Sequence, residues 1–486
     1  MRWTVEEVAR ALGVRPPGGL DPLARLAGVS INSRTVARGE LFVAIHGPRH
    51  DGHNFVVAAL EAGALAGVVA ADRLSGFAEP QRSKLFAVPD TLAALQGLAQ
   101  AVRTGWGRRL AAVTGSAGKT TTKEILAALL SARFRVLKSE GNLNNEYGLP
   151  LQLLRLDDAD EAAVVELGMS HAGELKRLAE IARPDVGVVT RVAPVHLEFF
   201  ASVDEIALAK RELIEGLAGR ESVAVLNADD ARVARFAQVA PGRVVTYGVA
   251  EQANFRGENI EDRGLNGTEF DFVGPEGRAR LRLSLAGRHN ISNALAALAA
   301  ASVWGVGAAE AAEVFPKLEA TGMRGRVLHY DAGFTVINDC YNSNPVALAA
   351  MVDLLGQTPA DGRHILAAGE MLELGPLSAD LHREAGRVAA AEKKLDWIIG
   401  AQGDAESFVR GAIEAGHRPV QARFFASSAE AGAFLADLIA RGDVLLVKGS
   451  RGVKMERIVE AIDSRFTRPG MDSASAAATV APKEHA

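Results

Sequence analysis

The sequence predicts an α/β protein of three units built on largely parallel sheets. Strand-length apolar runs alternate with helical stretches, as in AAVVELG (162–168), DVGVVTRV (185–192), SVAVLNADD (222–230) and VVTYG (244–248). Such alternation calls for a parallel sheet covered by helices. A further strand-like run, LAAVTG (110–115), leads straight into glycines and then a helix. The length of 486 residues sets an expectation of about three domains at about 150 residues each.

Residues 1–108 form the expected first unit. LFVAI (41–45) and GVVAA (67–71) read as buried strands, HNFVVAALEAGA (53–64) as the helix between them, and TLAALQGLAQAVRTG (91–105) as a helix leading to a glycine joint. Residues 109–320 form the second, a parallel-sheet unit. Its stretch 251–285 differs, because LRLSL alternates and turn signals such as RGLNGTEFDF recur, which suits an antiparallel edge. Residues 321–468 form the third, a Rossmann-like α/β unit with strands expected at FTVIND (334–339), HILAAG (364–369), DWIIG (396–400) and DVLLVKG (443–449). The tail 469–486 has no periodicity and is expected to be disordered.

Composition excludes several classes. Hydrophobic residues are 48% but aromatics only 5%, so Leu, Val and Ala must fill the cores. A net charge of -5 leaves no basic footprint for nucleic acid. One cysteine, Cys340, rules out an internal disulfide framework and fits a reducing compartment. The N-terminus MRWTVEEVARALGV lacks a signal-peptide core, and the run ALAALAAASVWGVGAA (294–309) is shorter than the ~20 residues of a membrane span. The expectation is a cytoplasmic chain without a membrane span, monomeric by default.

LAAVTGSAGKTTT (110–122) followed by KEILAALLSA places a strand, a glycine loop, Lys-Thr and a helix in succession. Gly115 and Gly118 let backbone N–H groups approach phosphate oxygens, with Ser116 and Ala117 between them. The helix N-terminus adds about half a positive charge. Lys119 can reach the β- and γ-phosphates, and the hydroxyl of Thr120, beside Thr121, can hold magnesium. The spacing Gly-x-x-Gly-Lys-Thr is two residues shorter than the common P-loop pattern, and a glycine turn before a helix is the plain alternative. The order of elements is the one that phosphate binding demands, so the central unit is expected to be P-loop-type.

Further candidates follow in order. Glu166 ends one strand, at the carboxyl edge where parallel sheets present ligands. His196 lies in VAPVHLEFF, just after the next strand, and Lys210 in the helical DEIALAKREL. A carboxylate and an imidazole can ligate a metal, although magnesium prefers oxygen. Taken singly, Glu166 also fits a solvated strand end, His196 a satisfied loop histidine and Lys210 a helix-surface charge. GNLNNEYGLPLQLL (141–154), with Asn142 and Asn145, reads as a loop closing over a reacting centre or as a turn. In GRHNISNALAALAAA (287–301), Asn290 and Asn293 suit a base or ribose, and equally an N-capping cluster.

Together these segments resemble the Mur ligases, ATP-dependent enzymes that add amino acids to the cell-wall precursor UDP-N-acetylmuramate. TGSAGKTTT, GNLNNEYGLP, ELGMSHAGE, APVHLE, ALAKREL and GRHNISNALAA match the family in sequence order, and the resemblance covers about residues 1–465. INSRTVARGELFVAIHGPRHDGHNF (31–55), INDCYNSNP (337–345) and LLVKGSRGVKMERIV (445–459) favour the branch that joins D-alanyl-D-alanine to UDP-N-acetylmuramoyl-tripeptide in peptidoglycan precursor synthesis.

The resemblance implies ATP and Mg2+ as cofactors, an acyl-phosphate intermediate, and a first unit that holds the UDP end through Ser33 and Arg34. It implies that Lys119 and Thr120 bind phosphate and magnesium, that Glu166 and His196 ligate magnesium, and that Lys210 is carbamylated to position a second magnesium. Asn290 and Asn293 would face the nucleotide. Arg324 and Asp339 would reach ATP on closure, with Arg326 a rival that the spacing also permits. Tyr341, Asn342, Lys448, Ser450 and Arg451 would meet the dipeptide or the acyl chain. Three local departures stand out. Ser116-Ala117 replaces a common Thr-Asn, RVAPVHLE replaces Asn-Ile-Gly-x-Ala-His, and the Asp-Asp and Ser of the 337–345 signature become Asn-Asp and Cys340. None removes an implied ligand. The rivals are a sibling Mur ligase, a folylpolyglutamate synthase-like amide ligase, and, from another class, a nucleotide-binding regulatory module without ligase chemistry.

Overall fold

The computed structural model describes residues 3–47, 50–250 and 252–469. The expected disordered tail therefore lies outside the described residues from Gly470 onward.

Three sheets follow one another along the chain. The first holds four parallel strands in sequential order, β1 (Val29–Ser30), β2 (Leu41–Val43), β3 (Ala66–Ala70) and β4 (Leu85–Val88). Between β2 and β3 the helix is shorter than the sequence suggests. Asp51 caps a 3-10 turn at Gly52–Phe55 through the His53 N–H, and the α-helix proper is Val56–Glu61. The helix Thr91–Trp106 that leaves this unit is well bounded. The Asp90 carboxylate accepts from the Leu92 and Ala93 N–H groups, and Gly107 stops the helix at φ 61.

The second sheet has nine strands: β5 (Arg109–Thr114), β6 (Val136–Lys138), β7 (Ala162–Glu166), β8 (Val186–Val189), β9 (Val223–Asn227), β10 (Arg243–Gly248), β11 (Phe255–Asp262), β12 (Thr268–Gly274) and β13 (Gly277–Leu283). They run in the order β13-β12-β11-β10-β9-β8-β5-β7-β6. Pairing is parallel from β6 to β11 and antiparallel for β12 and β13, which is the edge expected from 251–285. The parallel strands at its centre are buried along nearly their whole length, so they read as apolar runs without alternation. Val113 pairs with Glu166 and Thr114 with Val189. This register brings the ends of β5, β7 and β8 to one edge. The Ala-rich stretch near 294–301 is a core helix, His289–Ser302, packed against the helix Lys119–Ser131. Among the described residues no helix is long and apolar enough to cross a membrane.

The third sheet has six strands: β14 (Arg326–His329), β15 (Thr335–Asp339), β16 (His364–Gly369), β17 (Leu395–Ala401), β18 (Ala422–Phe425) and β19 (Val444–Lys448). Their order is β14-β15-β19-β16-β17-β18, with only β14 antiparallel to its neighbour. Asp339 pairs with Lys448 at the carboxyl edge. One apolar core joins the first two units, since Phe86 and Leu98 share it with Leu153, Leu178 and Leu213. The third unit builds cores of its own on both sides of its sheet.

Candidate active site

A cavity of about 990 Å³ opens between the carboxyl edge of the central sheet and that of the third. Its floor is the glycine loop after β5. Gly115 has φ 149 and Gly118 φ 84. A Cβ on Gly115 would stand 1.8 Å from Thr190 Oγ1, and one on Gly118 would stand 2.3 Å from Asn293 Oδ1, so neither site admits a side chain. The loop is laced to the segment after β8. Ser116 N donates to Arg191 O at 2.8 Å, its hydroxyl donates to Ala193 O at 3.1 Å and accepts from Ala193 N at 2.9 Å, and Thr190 Oγ1 donates to Ala117 O at 2.6 Å. The Ser116 departure thus keeps a hydroxyl in use. Lys119 bends back so that Nζ donates to Gly115 O at 2.7 Å. Desolvation lowers its pKa, Glu166 opposes that shift, Arg324 adds to it, and Glu373 opposes it. Thr121 lines the cavity beside it.

Glu166 is only 4% exposed, which removes the reading of a solvated strand end. Thr120 Oγ1 donates to its Oε2 at 2.5 Å, and Asn144 Nδ2 donates to its Oε1 at 2.8 Å. Its N–H donates to Ser139 Oγ at 3.0 Å, and the buried Lys123 donates to Ser139 O at 2.6 Å. The carboxylate is therefore held at both oxygens and along its backbone. Asn144 escaped the sequence reading, which singled out its neighbours. Asn142 and Asn145 do line the cavity, but Asn145 Oδ1 is occupied by the Gly148 N–H at 2.9 Å, where it starts a helix.

His196 sits at φ 55 on the cavity wall. Its Nδ1 is hydrogen-bonded to the carboxylate of Glu373, a residue of the third unit that the sequence reading also missed. That bond holds the Glu373 carboxyl below its usual pKa. Lys210, in the helix Val203–Glu215, is 2% exposed, so it is no surface charge. Burial first, and the charge of Lys119 second, push its pKa well below the usual lysine value. It is not one of the cavity-lining residues. Among the described residues no three His, Cys, Asp or Glu side chains cluster as a metal site. The donors present are a hydroxyl and a carboxylate in direct contact, with an imidazole on the same wall. Hard oxygens beside open space suit magnesium, which keeps several waters.

Asn290 and Asn293 are buried on the helix His289–Ser302 and face the cavity. Asn290 Nδ2 donates to Ala286 O at 2.7 Å, Asn293 Nδ2 donates to Asn290 Oδ1 at 2.9 Å, and Thr122 Oγ1 donates to Asn293 Oδ1 at 3.3 Å. They knit this helix to the phosphate loop. Across the cavity, the Arg324 guanidinium lies 3.8 Å from the centre of the Tyr341 ring. Arg326 begins β14, is exposed and does not line the cavity, so the geometry favours Arg324. Lys448 Nζ donates to Asp339 Oδ2 at 2.5 Å and to Asn342 O at 2.9 Å. Ser450 Oγ accepts from Leu372 N at 3.0 Å, and Arg451 pairs with Glu456 at 2.6 Å. Arg324, Asp339, Tyr341, Asn342, Lys448, Ser450 and Arg451 all line this cavity wall. Ser33 and Arg34 do not. They follow β1 in a loop where Asn32 Oδ1 accepts from Arg34 N at 3.0 Å.

Three family models match successive stretches: the Mur ligase family catalytic domain at 25–103, the Mur ligase middle domain at 113–301 and the Mur ligase glutamate ligase domain at 323–451. The UDP-N-acetylmuramoyl-tripeptide–D-alanyl-D-alanine ligase of Bacillus subtilis is 35% identical over 434 residues, 89% of this chain and 92% of that protein. A crystal structure of MurF from Acinetobacter baumannii superposes with a TM-score of 0.86 at 28% identity, covering 96% of this chain and 99% of that one. MurF ligase from Thermotoga maritima in complex with ADP superposes with a TM-score of 0.77 at 28% identity, covering 90% and 97%. With this match along its length and one cavity gathering the motifs that carry it, the chain belongs to the Mur ligase family.

Proposed function

We propose that this chain is the ATP-dependent ligase that joins D-alanyl-D-alanine to UDP-N-acetylmuramoyl-tripeptide, releasing ADP and phosphate. The observation that carries the reading is the shared cavity: Lys119, His196 and Glu166, which accepts from the buried Thr120 behind it, stand on one wall, Arg324 and Asp339 on the other. The named relatives carry the same activity in their names.

The peptide's terminal carboxylate is a poor electrophile. Its oxygen attacks the γ-phosphorus of ATP, the bond to the β-phosphate oxygen breaks, and an acyl-phosphate and ADP result. Both reactants are anionic, so their approach is opposed by charge. The glycine-loop N–H groups, the helix N-terminus and Lys119 offset that repulsion, and Arg324 adds positive charge from the opposite wall. Lys119 Nζ gives one of its three N–H donors to Gly115 O, which leaves two for phosphate. The free amine of the dipeptide then attacks the acyl carbon, loses a proton and expels phosphate. Water has to be excluded meanwhile, and a cavity closed by two units serves that end.

Magnesium fits at Thr120 and Glu166, with His196 alongside, where it would neutralise phosphate charge. Burial lowers the Lys210 pKa well below the usual lysine value, which favours the free amine, and a free amine adds CO2 to give a carbamate and a proton. That carbamate is its proposed form. The first unit, taken as 1–108, is assigned the UDP end through Ser33 and Arg34. The catalytic halves are taken as 109–320 and 321–468. ATP and a UDP-linked substrate put the reaction in the cytoplasm.

The test is phosphate release by the purified chain. Release is expected only when UDP-tripeptide and D-alanyl-D-alanine are both present. ATP turnover indifferent to the dipeptide would sink the reading, and would favour a regulatory nucleotide switch.

A further inference from the structure

Among the described residues only six non-glycine residues have positive φ, and two of them, His196 at 55 and Glu373 at 64, face each other across the central and third units. Such backbone is strained for a residue with a side chain and persists where the surroundings hold it. Here they do. The loop that carries Glu373 is fixed on both sides. His382 Nε2 accepts from Met371 N at 2.8 Å, and Ser450 Oγ accepts from Leu372 N at 3.0 Å. Glu198 N donates to Glu373 O at 3.3 Å, and a Cβ on Gly375 would stand 2.9 Å from Leu197 O. The two backbones are thus docked on each other, and the Glu373 carboxylate meets His196 Nδ1.

An imidazole whose Nδ1–H is held by a carboxylate has one tautomer, with its Nε2 lone pair free to ligate a cation. We propose that Glu373 is the positioning residue for His196, so that the metal site of the central unit is complete only when the third unit is seated. The inference rests on the reading of His196 as a metal ligand. It gives domain seating a chemical consequence. A cation would be gripped fully only in the arrangement that also brings Arg324 and Asp339 to the cavity.

The probe is Mn2+ bound to the full chain with ADP, its free fraction read by electron paramagnetic resonance. Glu373→Ala is expected to weaken Mn2+ by about 10- to 100-fold, the usual effect of losing such a partner. Glu373→Gln, which still accepts from Nδ1–H, is expected to keep most of the affinity. Glu373→Gly removes the carboxylate while relieving the backbone, and so guards against misfolding in the alanine variant. ADP affinity in EDTA is expected to stay unchanged in all three. In 15N spectra of the histidine rings, the His196 signal, identified by its loss in His196→Ala, should show a fixed Nδ1–H that disappears in Glu373→Gly. Parental Mn2+ affinity in both Glu373→Ala and Glu373→Gly, with weakened binding in His196→Ala, would overturn the proposal alone. Parental affinity in His196→Ala as well would overturn the metal-ligand reading and the proposal with it.

Discussion

Glu166 owes its place to three neighbours, and each can be removed separately. Asn144→Ala frees Oε1 while leaving Thr120 on Oε2. Turnover is expected to fall by about 10- to 100-fold with KM for ATP little changed, because a ligand's support is lost and the phosphate loop is not. A raised KM at parental kcat would show that Asn144 binds nucleotide instead. Lys119→Ala removes the one flexible cation of the loop and is expected to cost about 10²–10³-fold or more in kcat/KM. Parental rates would end the loop assignment. At this scale the sequence was legible where chemistry repeats a local order. Lys119, Thr120, Glu166 and His196 follow strand ends, and strand ends can be read. Glu373 lies 177 residues beyond His196, and no periodicity signals such a meeting. Asn144 could not be told from Asn142 and Asn145, because only the fold decides which of three polar neighbours meets Glu166.

Elements hold these residues in place, and two can be probed. The glycine loop between β5 and its helix has no room at Gly115, where Thr190 Oγ1 occupies the position of a Cβ. Gly115→Ala is expected to cost about 2–4 kcal/mol of stability from overpacking and backbone strain, read by denaturant melts. The loop 370–377 hangs on His382, whose Nε2 accepts from Met371 N at 2.8 Å and whose Nδ1 is 2.8 Å from Ser378 O. One nitrogen must accept, so the ring is needed neutral, and burial lowers its pKa. The folded chain therefore binds fewer protons here than the unfolded one. The stability contributed is full above the unfolded value of about 6.5 and is lost as pH falls toward the folded value. Parent and His382→Gln melts compared from pH 8 to 5 should converge as pH falls. A constant difference would mean that His382 has the same pKa in the folded and unfolded chain, against the lowering that burial gives it. Strand positions were mostly legible at this scale, since β5, β7, β8, β9, β16 and β19 are buried apolar runs. The short edges β1, β6, β14 and β18 carry too few residues for a period to show.

At the scale of the whole molecule, the division of the cores differs from the division of the sheets. The first and second sheets share one apolar core, whereas the third builds two of its own, with Leu265 and Ala286 of the central unit at the margin of one of them. The sequence suggested three units but not this grouping, which depends on how the helix Thr91–Trp106 lies against the central unit. It predicts calorimetric unfolding in two transitions rather than three, one for the first two units together and one for the third. The shared cavity adds a second expectation. ADP with Mn2+ at 100 times its dissociation constant contributes about 2.7 kcal/mol, which for a body of some 300 residues raises the midpoint by about 4 °C. Because Arg324 and Asp339 reach the cavity from the third unit, both transitions should move up and draw together. In Arg324→Ala the lower-affinity complex should still raise the first body's transition at saturating ligand, while the third unit's transition stays where it is without nucleotide. Movement of both transitions in that variant would place the coupling elsewhere, and movement of neither in the parent would mean that the third wall of the cavity does not touch the nucleotide.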